Sequence, residues 1–522
     1  MNERMSISPY EMSFKEFLLK NKRNRAILWI AGIAIVLQFC IFKYFYPYAS
    51  YIHGDSFSYL NTAHFNLDIN TYMVGYSRFI RLFSVFTSSD TALVSFQYLF
   101  IQSSALFLLF TLFYFYKLSR VIQIVLLCFM VFNPLFWHLG NLISSDCFFA
   151  SLSLVWFALL LWLINRPSTR VIVWHAVVLF LAFTVRYNAL IYPFISAAVF
   201  WLSKLPVRQK VMGIGAGAIL CFLFVFYTSY KYKQLTGYWQ YSPFSGWQFA
   251  NNAMYAYRYV DSAERKPVAK KYQVLDNMIR EYFDSTRDVK KHPTEAVLAG
   301  TYYMWSFGMP LYKYREKIFK KDTTAGELKK WASMGPYFKS YGLYIIRKYP
   351  SYFVRYFLWP NASKYYAPPV EFLAAFNSGR DSVVPLAKDW FGYKSLKIST
   401  RTKANNHEIH ILDFYPILSG VINVVMIMAL LSFYVLNGFS KNNQIRQAIF
   451  LGGSIWLINA GFTIFASSAA LRFQSFPILL TTTFTLILID WIWNMASQKQ
   501  VVNPIEAGKI QTSPITDVIT PV

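Results

Sequence analysis

Four charged residues stand at the edges of long apolar runs. Asp55 follows the first run, in YIHGDSFSYL (51–60). Asp146 opens a later one, in GNLISSDCFFASLSL (140–154), and Arg186 interrupts another, in LAFTVRYNALIYP (181–193). Arg472 lies in FASSAALRFQSFPILL (465–480). A charge at the centre of a bilayer costs about 2.5–3.5 kcal/mol on insertion scales, and less near the interface. Carboxylates can take a proton from a hydroxyl or hold a divalent cation. A guanidinium matches phosphate oxygens with a planar fork. Two acids and two arginines at one membrane face would therefore suit a phosphate whose tail lies in lipid. The plainer alternatives are helix caps for the acids and ordinary turn residues for the arginines.

The elements that must position these residues follow from composition. The chain has 522 residues, 55% hydrophobic and 20% aromatic, with 15% charged. A soluble domain carries about 25% charged residues, so this reads as an all-α polytopic membrane protein. Ten apolar runs fit spans, at 26–46, 91–116, 119–137, 142–164, 171–185, 188–203, 211–230, 414–437, 447–467 and 474–493. Residues 171–203 are too long for one crossing, since 33 helical residues reach about 50 Å against a hydrocarbon core of about 30 Å. Arg186 and Asn188 mark the turn there, and NPLFWHLGN (133–141) divides 119–164 in the same way. The first run is followed by no small-residue cleavage site and reads as a retained helix.

Lys and Arg in the short loops set orientation. The N-terminal stretch 1–25 carries Lys15, Lys20, Lys22, Arg23 and Arg25. Alternate loops carry Lys117 and Arg120, Arg166 and Arg170, Lys204, Arg208 and Lys210, then Lys441 and Arg446. Both ends of the described topology are therefore expected in the cytoplasm, with 494–522 a polar, disordered tail. Asp55, Asp146, Arg186 and Arg472 share the far face with the long loop 231–413. The spans divide into a core of seven, 26–230, and three more, 414–493.

Helical spacing also marks the far-side loops. Tyr76, Phe79, Ile80, Phe83 and Phe86 form a stripe that excludes Arg78 and Arg81, which predicts a juxtamembrane helix. Ile345, Ile346, Tyr349, Phe353, Tyr356 and Phe357 form another, broken at Pro350. The stretch 245–261 is rich in aromatics and amides that can stack on sugars or simply fold a helical domain. NAS (361–363) fits a glycosylation sequon, and HEIH (407–410) is a lone histidine pair, a weak metal signal. Gly213 and Gly217 fit close helix packing. Cys40, Cys128, Cys147 and Cys221 lie in apolar runs with no metal spacing. The net charge of +26 sits in membrane flanks and one loop. With no nucleic-acid motif beside it, that charge points to membrane lipids and phosphate-bearing partners, not to nucleic acid.

HGDSFSYL after a first span, NPLFWHLGNLISSDCFFASLSL and LAFTVRYNALIYP together resemble the C-type glycosyltransferase superfamily. The likeness is to its family 39 / protein O-mannosyltransferase and lipid A aminoarabinose transferase-like branch, and the late LRFQSFP resembles an Arg-aromatic-Pro element there. It covers roughly residues 25–230 and, weakly, the last two spans. Many relatives carry an Asp-Glu pair in the first loop, where this chain has His53-Gly54-Asp55-Ser56. The resemblance implies a bundle with juxtamembrane helices and a mostly helical extracytoplasmic loop. It implies an inverting transfer from a polyprenyl-phosphate-linked sugar to an extracytoplasmic glycan, lipid or protein. Asp55 would be the general base, and Asp146 would position the acceptor or help hold a divalent cation. Arg186 and Arg472 would meet the donor phosphate, with His53 and Tyr59 orienting Asp55. The expected location is a bacterial inner membrane with the site on its periplasmic face. The alternatives are an envelope polysaccharide polymerase or ligase using a diphosphate-linked donor, and a transporter or lipid flippase.

Overall fold

The computed structural model describes residues 12–402, 407–441 and 443–502. It is an all-α polytopic membrane protein; among the described residues β-structure is limited to isolated bridges. Among the described residues, eight helices are long and apolar enough to cross a membrane. They are Lys22–Phe45, Asp90–Phe115, Arg120–Gly140, Ser145–Asn165, Val207–Thr236, His410–Val435, Ile445–Ala466 and Ser475–Ser497. Two shorter apolar helices, Thr169–Val185 and Tyr187–Leu202, fill the remaining expected positions. At 1.5 Å per residue, 17 residues reach about 26 Å, just under the hydrocarbon thickness.

The breaks fall at the polar residues. Thr169–Val185 ends where Arg186 becomes extended, and a 3-10 turn, Tyr187–Ile191, reverses the chain. The helix Arg120–Val131 stops before Asn133, whose side chain caps Pro134–Gly140 by accepting from the Leu135 amide at 3.0 Å. Gly213 and Gly217 lie against Phe200 and Leu179, where a Cβ would crowd the neighbour. The last helix continues through Val502, so residues 494–502 of the expected tail are helical, and the rest of that tail lies outside the described residues.

Buried apolar side chains form two cores. One is the membrane bundle, and it also takes in Leu373, Phe376, Val383, Phe391 and Leu412 from the end of the long loop. The second lies within that loop, around Trp247, Tyr255, Phe338, Tyr341 and Phe353. Helices Pro243–Tyr257 and Glu327–Lys348 meet there through glycines, and a Cβ on Gly246 would sit 1.9 Å from the Gly335 carbonyl oxygen. Pro350 ends one helix and opens the next, and the stripe residues Ile345, Tyr349, Phe353 and Phe357 are buried in this core. Helix Gly75–Ser84 buries Tyr76 and Ile80, and Phe79 stacks on Phe148 at 4.3 Å. Arg78 pairs with Asp68 at 3.0 Å, and Arg81 donates to the Ala63 carbonyl.

Candidate active site

The two acidic stretches are tied together by backbone. The Ser50 amide donates to the Asn141 carbonyl at 2.8 Å, and the Ile143 amide donates back to Ser50 at 2.9 Å. Gln97 secures the same spot, donating to the carbonyls of Gly140 and Leu142 and accepting from the Tyr76 hydroxyl. From this clasp one chain runs to Asp55 and the other to Asp146. Gly54, at φ 91, lets the first turn sharply into helix Asp55–His64, a conformation open to glycine but strained for other residues.

Neither acid caps its helix. Gly54 is the N-cap before Asp55 and Ser144 the N-cap before Asp146. The carboxylates turn instead to the arginines. Arg472 donates through Nη2 to Asp55 Oδ2 at 2.7 Å and through Nη1 to Asp146 Oδ2 at 3.1 Å. Arg186 Nη1 pairs with Asp146 Oδ1, and the Ser144 hydroxyl also donates to Asp146. All four charged residues picked out in the sequence therefore form one chain, Asp55–Arg472–Asp146–Arg186, drawn from four separate elements. Burial alone would lower the Arg472 pKa, but Asp146 and Asp55 outweigh it and hold the guanidinium above its ordinary value. Phe372 and Phe473 cover the Arg472 guanidinium at 4.2 and 4.3 Å, and Phe473 also lies 4.8 Å from that of Arg186. Such ring faces favour a desolvated cation.

The two supporting residues sit otherwise than expected. The hydroxyl on Asp55 belongs to Tyr72, which donates to Oδ1 at 2.6 Å. Burial and the Asp55 charge push the Tyr72 hydroxyl well above the ordinary phenol range, so it stays a donor. Tyr59 pairs with the Ser145 hydroxyl at 2.8 Å, and burial pushes its own pKa up to about 12. His53 faces Arg380, 3.1 Å from Nδ1, and burial followed by the Arg380 charge lowers its pKa.

Asp55, Arg186 and Arg472 line a cavity of about 1460 Å³, together with His53, Tyr59 and Tyr72. Its walls continue into the long loop, through Tyr241, Phe244, Gln248 and Trp305. Lys364 and Glu371 form a second charged pair there, 3.7 Å apart. Nothing in the spacing of Tyr72, Lys364, Glu371 or the two phenylalanines marked them. The LRFQSFP stretch, which carries Arg472 and Phe473, gave the nearest signal.

Asn361 pins the loop that carries Arg472. Its Nδ2 donates to the carbonyls of Thr463 and Ile464, each at 3.0 Å, and of Ser467, and its Oδ1 accepts from the Ala469 amide at 3.0 Å. It is fully buried, so the sequon reading of 361–363 gives way to a structural one. Asn252, from the amide-rich stretch, donates to the Phe465 carbonyl in the last turn of the helix that leads into that loop. In 407–410, His410 pairs with Asp413 and Glu408, while the His407 ring faces Phe376.

The carboxylate pair does not fit a divalent cation. Arg472 bridges its two members and Arg186 takes a further oxygen of Asp146, so positive charge already fills the place a metal would take. No family model matches the chain, and no curated protein or solved structure matches it.

Proposed function

We propose that the chain is an integral membrane glycosyltransferase that moves a sugar from a polyprenyl-phosphate-linked donor to an extracytoplasmic acceptor, a glycan, lipid or protein. The observation that carries this reading is the Asp55–Arg472–Asp146–Arg186 chain, of which Asp55, Arg186 and Arg472 line a large cavity. In this reading the four residues stand together at the extracytoplasmic face, where a lipid-borne head group and a water-borne acceptor can meet. The basic short loops support a reading in which that face lies opposite the cytoplasm. In a bacterial inner membrane it would be periplasmic.

Asp55 is the general base in this proposal. An ionised carboxylate offers about four acceptor positions, and Tyr72 and Arg472 use two of them. A free position accepts the acceptor hydroxyl proton. The deprotonated oxygen attacks the anomeric carbon, the bond from that carbon to the phosphate oxygen breaks, and the lipid phosphate leaves with the electron pair. One displacement inverts the anomeric centre. Tyr72 and Arg472 fix the direction in which Asp55 presents its oxygens. Asp146, held by both arginines, keeps Arg472 in register. Arg186, which lines the cavity, reaches Ser145 and Asp146 through Nη1.

The test is transfer from defined polyprenyl-phosphate sugars by the purified chain in liposomes, beside diphosphate-linked donors. Asp55→Ala and Asp55→Asn should each lower transfer about 10²–10⁴-fold, the usual contribution of a positioned base, with membrane insertion intact. Near-normal turnover in either variant sinks the base assignment. Transfer from diphosphate donors alone redirects the reading to a polymerase or ligase.

A further inference from the structure

The cations around the cavity differ in how closely their counter-ions hold them, and that difference names a residue. Arg472 is engaged by Asp55 and Asp146, and Arg186 by Asp146. Two cations and two anions make that chain neutral, and each of its arginines already holds a carboxylate at hydrogen-bonding length. The other cations lining the cavity are Lys339 and Lys364. Lys339 is exposed to solvent, where water screens it.

Lys364 differs. It projects from helix Trp359–Tyr366 with its side chain only 16% exposed. An ammonium carries three donors, and Lys364 places one, on the Ala299 carbonyl at 3.3 Å. Glu371 Oε1 lies 3.7 Å away, beyond hydrogen-bonding length. Glu371 itself sits at φ 44, a left-handed conformation uncommon outside glycine and enriched at functional sites. That turn sets Phe372 over Arg472, which joins the Lys364 pair to the catalytic chain.

We infer that Lys364 is the anion-binding residue of this cavity, taking a phosphate oxygen of the lipid-linked donor, with Glu371 as its resting counter-ion. The identity of the anion as the donor's phosphate rests on the proposed function; the anion site does not. With the cavity empty, Glu371 keeps the ammonium in place through a loose pair. An arriving phosphate takes the unplaced donors at hydrogen-bonding length.

The experiment measures binding by the full-length chain in detergent. The probes are a polyprenyl monophosphate, the polyprenol lacking phosphate, phosphatidylglycerol and inorganic phosphate. Lys364→Gln should weaken polyprenyl monophosphate about tenfold or more and leave the polyprenol unchanged. Lys339→Gln should shift it less than about threefold, as expected for an exposed charge. The Lys364→Gln/Glu371→Gln double variant should stay weak, which separates lost attraction from uncovered repulsion. Unchanged monophosphate affinity in Lys364→Gln, or an equal loss for the polyprenol, overturns the inference while wild-type transfer leaves the proposed function standing. Lys364-dependent binding of phosphatidylglycerol or inorganic phosphate without polyprenyl monophosphate keeps the anion site and removes the donor reading. Binding of no anion by the wild type overturns both.

Discussion

Replacing Asp146 with Asn separates what holds the site from what the site does. The Asp146 side chain is 0% exposed and that of Arg472 4%. Asn keeps the shape but removes the charge, so a neutral chain of two acids and two arginines becomes a buried +1. Its amide group can also accept toward only one arginine while pointing a donor at the other. Breaking a buried ion pair by removing one partner costs about 3–5 kcal/mol. Asp55 is 19% exposed and faces the cavity, so water offsets part of its loss. Asp55→Asn should cost about 1.5–2 kcal/mol, the low end for a charged hydrogen bond. Urea unfolding in detergent micelles, followed by tryptophan fluorescence, should therefore rank Asp146→Asn well below Asp55→Asn. Adding Arg186→Gln to Asp146→Asn restores neutrality and should recover about 1–3 kcal/mol, the coupling expected between contacting groups. Equal stabilities for the two single variants, or no recovery in the double, would refute the claim that charge neutrality holds this chain together.

Three further outcomes follow from the geometry. Tyr72→Phe removes the 2.6 Å bond to Asp55 and should lower transfer about tenfold, as a loss of about 1.4 kcal/mol in the transition state does. Steady-state kinetics should show the loss in kcat, with KM nearly unchanged. Asn361→Ala strands the Thr463, Ile464 and Ser467 carbonyls and the Ala469 amide. At about 1–3 kcal/mol per buried unsatisfied group, the same unfolding assay should show a large loss, and expression in glycosylating microsomes should add no glycan at Asn361. The His53 imidazole, lowered from its ordinary 6.5 by burial and Arg380, contributes stability that is complete above that value and lost as pH falls through its folded pKa. Arg380→Gln should move the His53 titration upward, read from its ring proton shifts by NMR.

The apolar helices and the four charged residues were legible because both rest on local signals. Apolar runs of span length and basic loops alternate along the chain, and a charge at the end of such a run stands out against its neighbours. Arg186 was readable twice over, as a charge and as the turn that divides residues 171–203. What the residue types did not convey was pairing. Guanidinium groups read alone suggest phosphate, and only the fold shows Arg472 held between two carboxylates. Tyr72 is one of 38 tyrosines, and its role depends on a chain reversal that brings it back over Asp55. Lys364, Glu371 and Phe372 belong to the long loop, whose helices carry ordinary amphipathic patterning. Their place beside Arg472 comes from the Asn361 contacts to residues 463–469, which no periodicity records.

The span between Asp55 and Arg472 also bears on how the protein is made. The two partners are 417 residues apart in the chain, and translation at about 5–20 residues per second separates their synthesis by about 20–80 s. Asp146 meets Arg186 after only 40 residues, so its own wait is brief. Asp55 must stand at the membrane boundary of the nascent chain with the nearby Tyr72 hydroxyl as its first partner. The late loop that supplies Arg472 thus closes the site from the far end of the sequence. A chain stalled before its last two spans leaves an acid without its guanidinium, a defect that membrane quality control can recognise.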